Sequence, residues 1–237
     1  MKDIINVLKN SLPKYSIKQP SSQDTILIYR PFTVKEEKSL LLSKDTGSYT
    51  DFLITISELI SACYNIDAKK LPIFDVEYMF LKLREKSVSE TVVISFDCPT
   101  TGERIKNIEV RLNEIEVKKQ ENSKNIKLSN ELIVNMRYPT FEFLIENTTK
   151  SNNGNIDLYD MVLYSIESIQ TPDELITNES LSSSLLNEFI ENLTRTQYEL
   201  ILNFFLKAPK IEHEVYYTTK DGMERKIILR GIRDFFR

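Results

Sequence analysis

Pro72-Ile73-Phe74-Asp75-Val76-Glu77-Tyr78-Met79-Phe80-Leu81-Lys82-Leu83-Arg84 is the densest apolar stretch of this 237-residue chain. On a helix, Val76, Met79, Phe80 and Leu83 share one face, while Phe74, Tyr78 and Leu81 fill much of the other. A helix that is apolar nearly all round belongs inside a core. The charged group Lys82, Arg84, Glu85 and Lys86 marks where it emerges. Immediately afterwards the period changes. Val92-Val93-Ile94-Ser95-Phe96 is β-rich, Pro99-Thr100-Thr101-Gly102 is turn chemistry, and Ile108, Val110 and Leu112 alternate with polar neighbours. A core helix feeding an antiparallel hairpin predicts an α+β fold.

Toward the N-terminus, Thr25-Ile26-Leu27-Ile28-Tyr29 is a β-rich run that stops at Pro31. Thr33-Val34-Lys35-Glu36 fits a capping box, in which the Thr hydroxyl accepts the N3 amide and Glu36 reaches back to the Thr33 amide. A helix is predicted from there to about Ser43, with a break near Gly47. Phe52, Ile56, Leu59, Ile60 and Cys63 then form one apolar helical stripe. Residues 1–24 are basic, with Lys2, Lys9, Lys14 and Lys18 opposing Asp3 and Asp24. They read as a short helix or arm followed by a loop around Pro20-Ser21-Ser22, a segment for a partner to order.

Toward the C-terminus, more strand is expected near Ile115–Val117, Ile126–Leu128 and along Leu132-Val134-Met136-Tyr138. Residues 151–194 hold eight acids and no Lys or Arg. Leu158, Met161, Val162 and Ile169 suggest one amphipathic helix opened by Asp157. Leu185, Leu186, Phe189, Ile190 and Leu193 suggest another. These acidic helices form either a solvated face or a surface for a basic partner. Thr194-Arg195-Thr196-Gln197 is a second capping box, opening a helix with Tyr198, Ile201, Leu202 and Phe205 on one side. The organisation expected is a basic arm over 1–24, a helical and hairpin lobe over 25–150, and a lobe over 151–237 with acidic helices, a helix and a second hairpin.

That second hairpin echoes the first. Phe96-Asp97-Cys98-Pro99-Thr100-Thr101-Gly102 aligns with Tyr216-Tyr217-Thr218-Thr219-Lys220-Asp221-Gly222, and Ile108, Leu112 and Ile115 find counterparts in Ile228, Ile232 and Phe235. Each copy follows an apolar helix, so the chain reads as two helix-plus-hairpin modules, with duplication as one origin.

Net charge is −4 and the isoelectric point about 5.3, which argues against nucleic-acid binding. No stretch approaches the ~20 apolar residues of a membrane span, and the first residues lack the pattern of a signal peptide. Cys63 and Cys98 are too few and too isolated for a disulfide framework and read as reduced thiols of a cytosolic protein.

The hairpins have the shape of zinc ribbons but not the ligands. Cys98 is alone in the first, and Thr218 and Asp221 stand in the second where thiols would be wanted. The single histidine, His213, is flanked by two glutamates in an alternating run and reads as a strand residue. No nucleophile elbow, phosphate-binding loop or dinucleotide fingerprint is present. No metal, cofactor or catalytic residue is therefore expected, although a carboxylate pair stays open. The chain ends in Asp234-Phe235-Phe236-Arg237. Leaving two phenylalanines in water forfeits roughly 1.5–3 kcal/mol each, so they either tuck onto the second hairpin or anchor in a partner.

Arg30-Pro31-Phe32-Thr33-Val34-Lys35-Glu36-Glu37-Lys38, the block Phe74–Val88, Cys98-Pro99 before Gly102, and Gly231-Ile232-Arg233-Asp234-Phe235-Phe236 together resemble the T-even-type phage baseplate family. The resemblance implies a virus-encoded protein that builds the tail baseplate hub and is not an enzyme. It would be either a structural hub component or a hub assembly chaperone absent from the finished tail, with a peptidoglycan-acting tail-tip enzyme as a third reading. Other baseplate hub proteins would be its partners, with self-association open and neither nucleic acid nor membrane insertion expected. It would work in the host cytoplasm during assembly and, as a hub component, in the tail of the virion. Lys35, Glu36, Arg84, Lys86, Phe235 and Phe236 are the candidate partner contacts, with charge setting orientation and aromatics affinity.

Overall fold

The computed structural model describes residues 4, 7–8, 11–45, 47–150 and 157–235, without the side chains of Gln23 and Glu179. The fold is α+β, with helices and antiparallel sheets of two to four strands. The chain divides into two compact units, one comprising residues 1–118 and 209–237, the other residues 119–208. These boundaries do not follow the divisions after residues 24 and 150 drawn from composition. The reason is packing: the last hairpin shares the core of the first.

The first unit opens with an antiparallel ribbon, β1 (Tyr15–Gln19) and β2 (Ser22–Tyr29), in which Tyr15 faces Tyr29 and Gln19 faces Ser22. Part of the segment read as an arm or loop is thus strand. Three helices follow: α1 (Val34–Asp45), α2 (Tyr49–Tyr64) and α3 (Ile73–Ser87). Ser48 caps α2 by accepting the Asp51 amide, and the predicted stripe Phe52, Ile56, Leu59, Ile60 and Cys63 is buried. Helix α3 is buried on most sides, as its composition demands.

Asp75, in the first turn of α3, is completely buried. Its carboxylate accepts the Gln19 side-chain amide at 2.7 Å and the Ser21 backbone amide at 2.8 Å, as well as the Ser21 hydroxyl. Three donors and the helix N-terminus compensate the charge for its loss of water. This side chain ties the β1–β2 turn to α3.

After α3 comes the hairpin of β3 (Thr91–Asp97) and β4 (Arg104–Arg111). A single helical turn at Leu112–Glu114 leads to β5 (Val117–Lys118). The unit is completed by β10 (Lys210–Thr218), β11 (Glu224–Arg230) and the short helix α8 (Gly231–Phe235), which lie beyond the second unit in sequence. β10 pairs with β11 on one side and with β5 on the other. Both hairpins turn on a glycine of positive φ, Gly102 at 69° and Gly222 at 77°. Their inward residues Val92, Ile94, Phe96, Ile211, Val215 and Tyr217 share one core with Leu81, Leu112, Ile115 and Phe235.

The second unit is built on a four-stranded antiparallel sheet of β6 (Asn125–Lys127), β7 (Ile133–Met136), β8 (Ile166–Gln170) and β9 (Leu175–Thr177), in that order. Its helices are α4 (Phe141–Lys150), α5 (Leu158–Ser165), α6 (Ser183–Glu191) and α7 (Arg195–Leu206). The capping box at Thr194 forms in full with Gln197. Val134, Met136, Val162, Ile166, Ile169, Leu186, Ile190, Ile201 and Phe204 are in its core. Two expectations change. Ile169 belongs to strand β8 rather than to the helix opened by Asp157, because Ile166 and Ile169 pair with β7. And α7, read as the helix of a second helix-plus-hairpin module, packs Ile201 and Phe204 into this unit while its hairpin belongs to the other.

Candidate interaction surface

Two of the other segments that carry the family resemblance meet α3. From the first, the Phe32 amide donates to the Ser87 hydroxyl at 3.1 Å, and the Tyr29 hydroxyl donates to the Lys82 carbonyl at 3.2 Å. The Arg30 amide closes on the Cys63 carbonyl of α2 at 3.2 Å, and the Tyr29 ring stacks on Tyr64 at 4.7 Å. Half of the predicted capping box forms here: Glu36 accepts the Thr33 amide at 2.7 Å, while the Thr33 hydroxyl donates to the same carboxylate at 2.9 Å rather than accepting the N3 amide. Arg30 adds a two-pronged ion pair to the same carboxylate at 2.7 and 3.0 Å. Burial works to raise the Glu36 pKa, but the Arg30 guanidinium and both Thr33 donors outweigh it and hold the group at about 2. Glu36 is therefore engaged within its own unit, while Lys35 next to it is exposed.

At the far end of α3, the Glu85 carboxylate is buried between two lysines, Lys86 at 2.8 Å and Lys82 at 3.0 Å. Burial pushes Glu85 upward, and the Lys86 and Lys82 ammonium groups more than reverse it. Lys86 also pairs with Glu90 at 3.2 Å and lies 6.0 Å from the centre of the Tyr15 ring. Its pKa is raised by the Glu85 and Glu90 hydrogen bonds. Arg84, half-buried, donates to the Thr91 carbonyl at 3.4 Å, and burial draws its pKa down against the opposing charge of Glu37. Lys86 and Arg84 thus tie the helix end to its surroundings.

The last block docks on α3 from the C-terminal side. The Ile232 amide donates to Glu77 at 3.3 Å, and burial lifts the Glu77 carboxyl to about 7 despite that bond. Gly231, at φ +60°, lies so close that a Cβ there would stand 2.5 Å from Glu77 Oε1. Phe235 is completely buried in the hairpin core, which corrects its assignment as an anchor in a partner: the side chain has no surface to offer. Phe236 lies outside the described residues. Sequence reasoning missed Arg30, Asp75 and Glu77, whose roles depend on partners 6, 54 and 155 positions away.

The first unit also leaves apolar side chains open. Helix α1 leaves Val34, Leu41 and Leu42 exposed, and its one fully buried residue is Ser43. Ile26 and Ile28 are exposed on β2. On the second unit, an apolar groove of about 490 Å³ runs along α6 beside the sheet. Surfaces of this kind favour association with other apolar groups. Among the described residues, no group of three or more His, Cys, Asp or Glu side chains stands where it could hold a metal ion, and no helix is long and apolar enough to cross a membrane.

No curated protein and no solved structure matches the chain. A family model, that of the T4 bacteriophage base plate protein, matches residues 12–237. That span takes in β1, the whole second unit and the docked C-terminal block, so the chain belongs to the T4 bacteriophage base plate protein family.

Proposed function

We propose that this chain helps to build the hub of the tail baseplate, through protein–protein contacts and without catalysis. The observation that carries the reading is α1, a helix that exposes Val34, Leu41 and Leu42 to water and buries no apolar side chain completely. A helix gains most of its stability in a protein from packing an apolar face. One left this bare fits a surface completed by another subunit, and Lys35, exposed beside Val34, adds a charge to orient it. Against an enzyme, Glu77, a carboxyl of raised pKa, is committed to the Ile232 amide under Gly231.

Its place of action is then the host cytoplasm during assembly. Quantitative mass spectrometry of purified mature particles, beside lysates arrested before tail completion, tests the reading. A fixed ratio to other hub proteins in particles makes it a structural subunit. Presence only with hub intermediates makes it an assembly chaperone. Absence from both overturns the proposal. Leu41→Glu with Leu42→Glu should abolish either form of incorporation while leaving the isolated chain folded.

A further inference from the structure

The groove along α6 has a composition that selects its occupant. Leu132, Ile169 and Ile176 line it from the sheet side and Leu185 and Phe189 from α6, with Glu188 among them. Its volume of about 490 Å³ lies in the ~300–1,000 Å³ range of clefts that take up ligands. The unit that bears it, residues 119–208, has 13 acids against seven bases. Helix α6 itself contributes Glu188 and Glu191, both exposed, and no Lys or Arg occurs anywhere in residues 151–194. An apolar groove in an acidic unit calls for an apolar segment flanked by positive charge. It repels nucleic acid.

The same chain carries a segment of that chemistry. Ile4, Val7 and Leu8 have the i, i+3, i+4 spacing of one helical stripe and are exposed at 65, 67 and 62%. The Ser11 amide closes on the Val7 carbonyl at 3.0 Å, an i to i−4 helical bond. In sequence the stripe is accompanied by Lys2, Lys9 and Lys14 against the single acid Asp3. Two apolar surfaces of opposite charge, each without cover, complement one another.

We propose that residues 1–14 of one copy dock in the α6 groove of a second copy. Ile4, Val7 and Leu8 enter among Leu185, Phe189 and Ile176, and the lysines face Glu188 and Glu191. The two surfaces differ, so the contact is heterologous. It either closes by reciprocal exchange between two copies or continues head to tail. A segment of 14 residues in a groove buries far less than the ~1,200 Å² of a stable interface, so the association is reversible, with Kd on the order of 10 µM. The inference goes beyond the hub reading and stands or falls without it.

The test uses the full chain and a fluorescent peptide of residues 1–14. Sedimentation equilibrium should show concentration-dependent association, and the peptide should bind the chain by fluorescence anisotropy. Leu185→Glu in the chain, or Ile4→Glu with Leu8→Glu in the peptide, should each weaken peptide binding at least about tenfold, as expected for a charge placed in an apolar contact. Glu188→Lys should weaken it several-fold, and raising salt from about 50 to about 500 mM should do the same to the unaltered pair. Leu185 and Glu188 are exposed, so circular dichroism should report an unchanged fold in both variants. A chain that stays monomeric to about 100 µM, more than the expected Kd, overturns the proposal. So does association or peptide binding that Leu185→Glu leaves untouched.

Discussion

Glu77 receives the Ile232 amide at 3.3 Å, and a Cβ on the residue that precedes that amide, Gly231, would stand 2.5 Å from the same carboxylate. Its φ of +60° independently favours glycine. Gly231→Ala would meet both obstacles. The Glu77 carboxylate is the movable partner, but moving it gives up the Ile232 bond. We expect a loss of about 1–3 kcal/mol in urea unfolding, from left-handed strain plus one charge-assisted hydrogen bond.

The same carboxylate gives stability a pH dependence. Its pKa stands at about 7 in the folded chain against an ordinary 4.5, because burial penalises the charge. The folded state therefore binds the proton more tightly than the unfolded state. The stability so contributed is complete below pH 4.5 and is lost as pH rises through 7. Glu77→Gln should remove this slope and be more stable than the native chain at pH 8, by at most about 3 kcal/mol. Denaturant midpoints measured at pH 5 and pH 8 for both proteins check the sign.

Glu36 has the opposite slope. Held at about 2 by Arg30 and Thr33, it contributes stability that is present above pH 4.5 and lost as pH falls toward 2. Glu36→Ala also removes the acceptor of the Thr33 amide and the carboxylate paired with Arg30, and should lower neutral-pH stability by about 1–3 kcal/mol. Glu36→Gln keeps an acceptor for the Thr33 amide and should cost less. Equal losses from the two substitutions would remove the charge from the explanation.

Asp75→Ala leaves Gln19 and both Ser21 donors without their acceptor. We expect a cost of about 2–4 kcal/mol. Amide exchange should accelerate first in β1 and β2, whose turn this carboxylate holds. Uniform acceleration across the unit would show that Asp75 supports α3 rather than the ribbon.

Phe235→Ala empties a fully buried site and should cost about 3–5 kcal/mol, whereas Leu42→Ser on the exposed face of α1 should change stability by less than about 0.5 kcal/mol. If the hub reading holds, their effects on partner binding should be ordered the other way, once Phe235→Ala is assayed at a temperature where it is folded.

Local signals were the legible ones. The Thr194 capping box, one arm of the box at Thr33, the α2 stripe, the buried α3 and the two glycine turns depend on residues within a turn or two of one another, and each formed where the sequence predicts. The hairpin echo extends further than the turns: Leu112 and Ile115 after the first, and Ile232 and Phe235 after the second, are all buried in the helical turn that follows or just beyond it. What failed depended on distant partners. Strand β1 offers only Tyr15 and Ile17 as apolar residues and exists through its pairing with β2. The last turn of helix α4 carries Asn147-Thr148-Thr149, poor helix formers whose side chains bond back to the carbonyls of Phe143, Leu144 and Ile145. The charged candidates have nearer partners. Lys86 and Glu36 looked like free surface charge because Glu85, burying itself from the adjacent position, and Arg30, six residues before Glu36, gave no local sign of pairing.

The chain leaves the first unit after Lys118 and returns at Pro209, and strands β5 and β10, on either side of that excursion, pair with each other. On the ribosome this has a temporal meaning. At ~5–20 residues per second, the 90 intervening residues occupy the tunnel and the folding machinery for several seconds. Throughout that delay the inward face of β3 and β4 has no β10 or β11 to cover it. The excursion can finish folding while its host stays incomplete, so the nascent host unit is the part that most needs shelter from aggregation until the final 29 residues emerge.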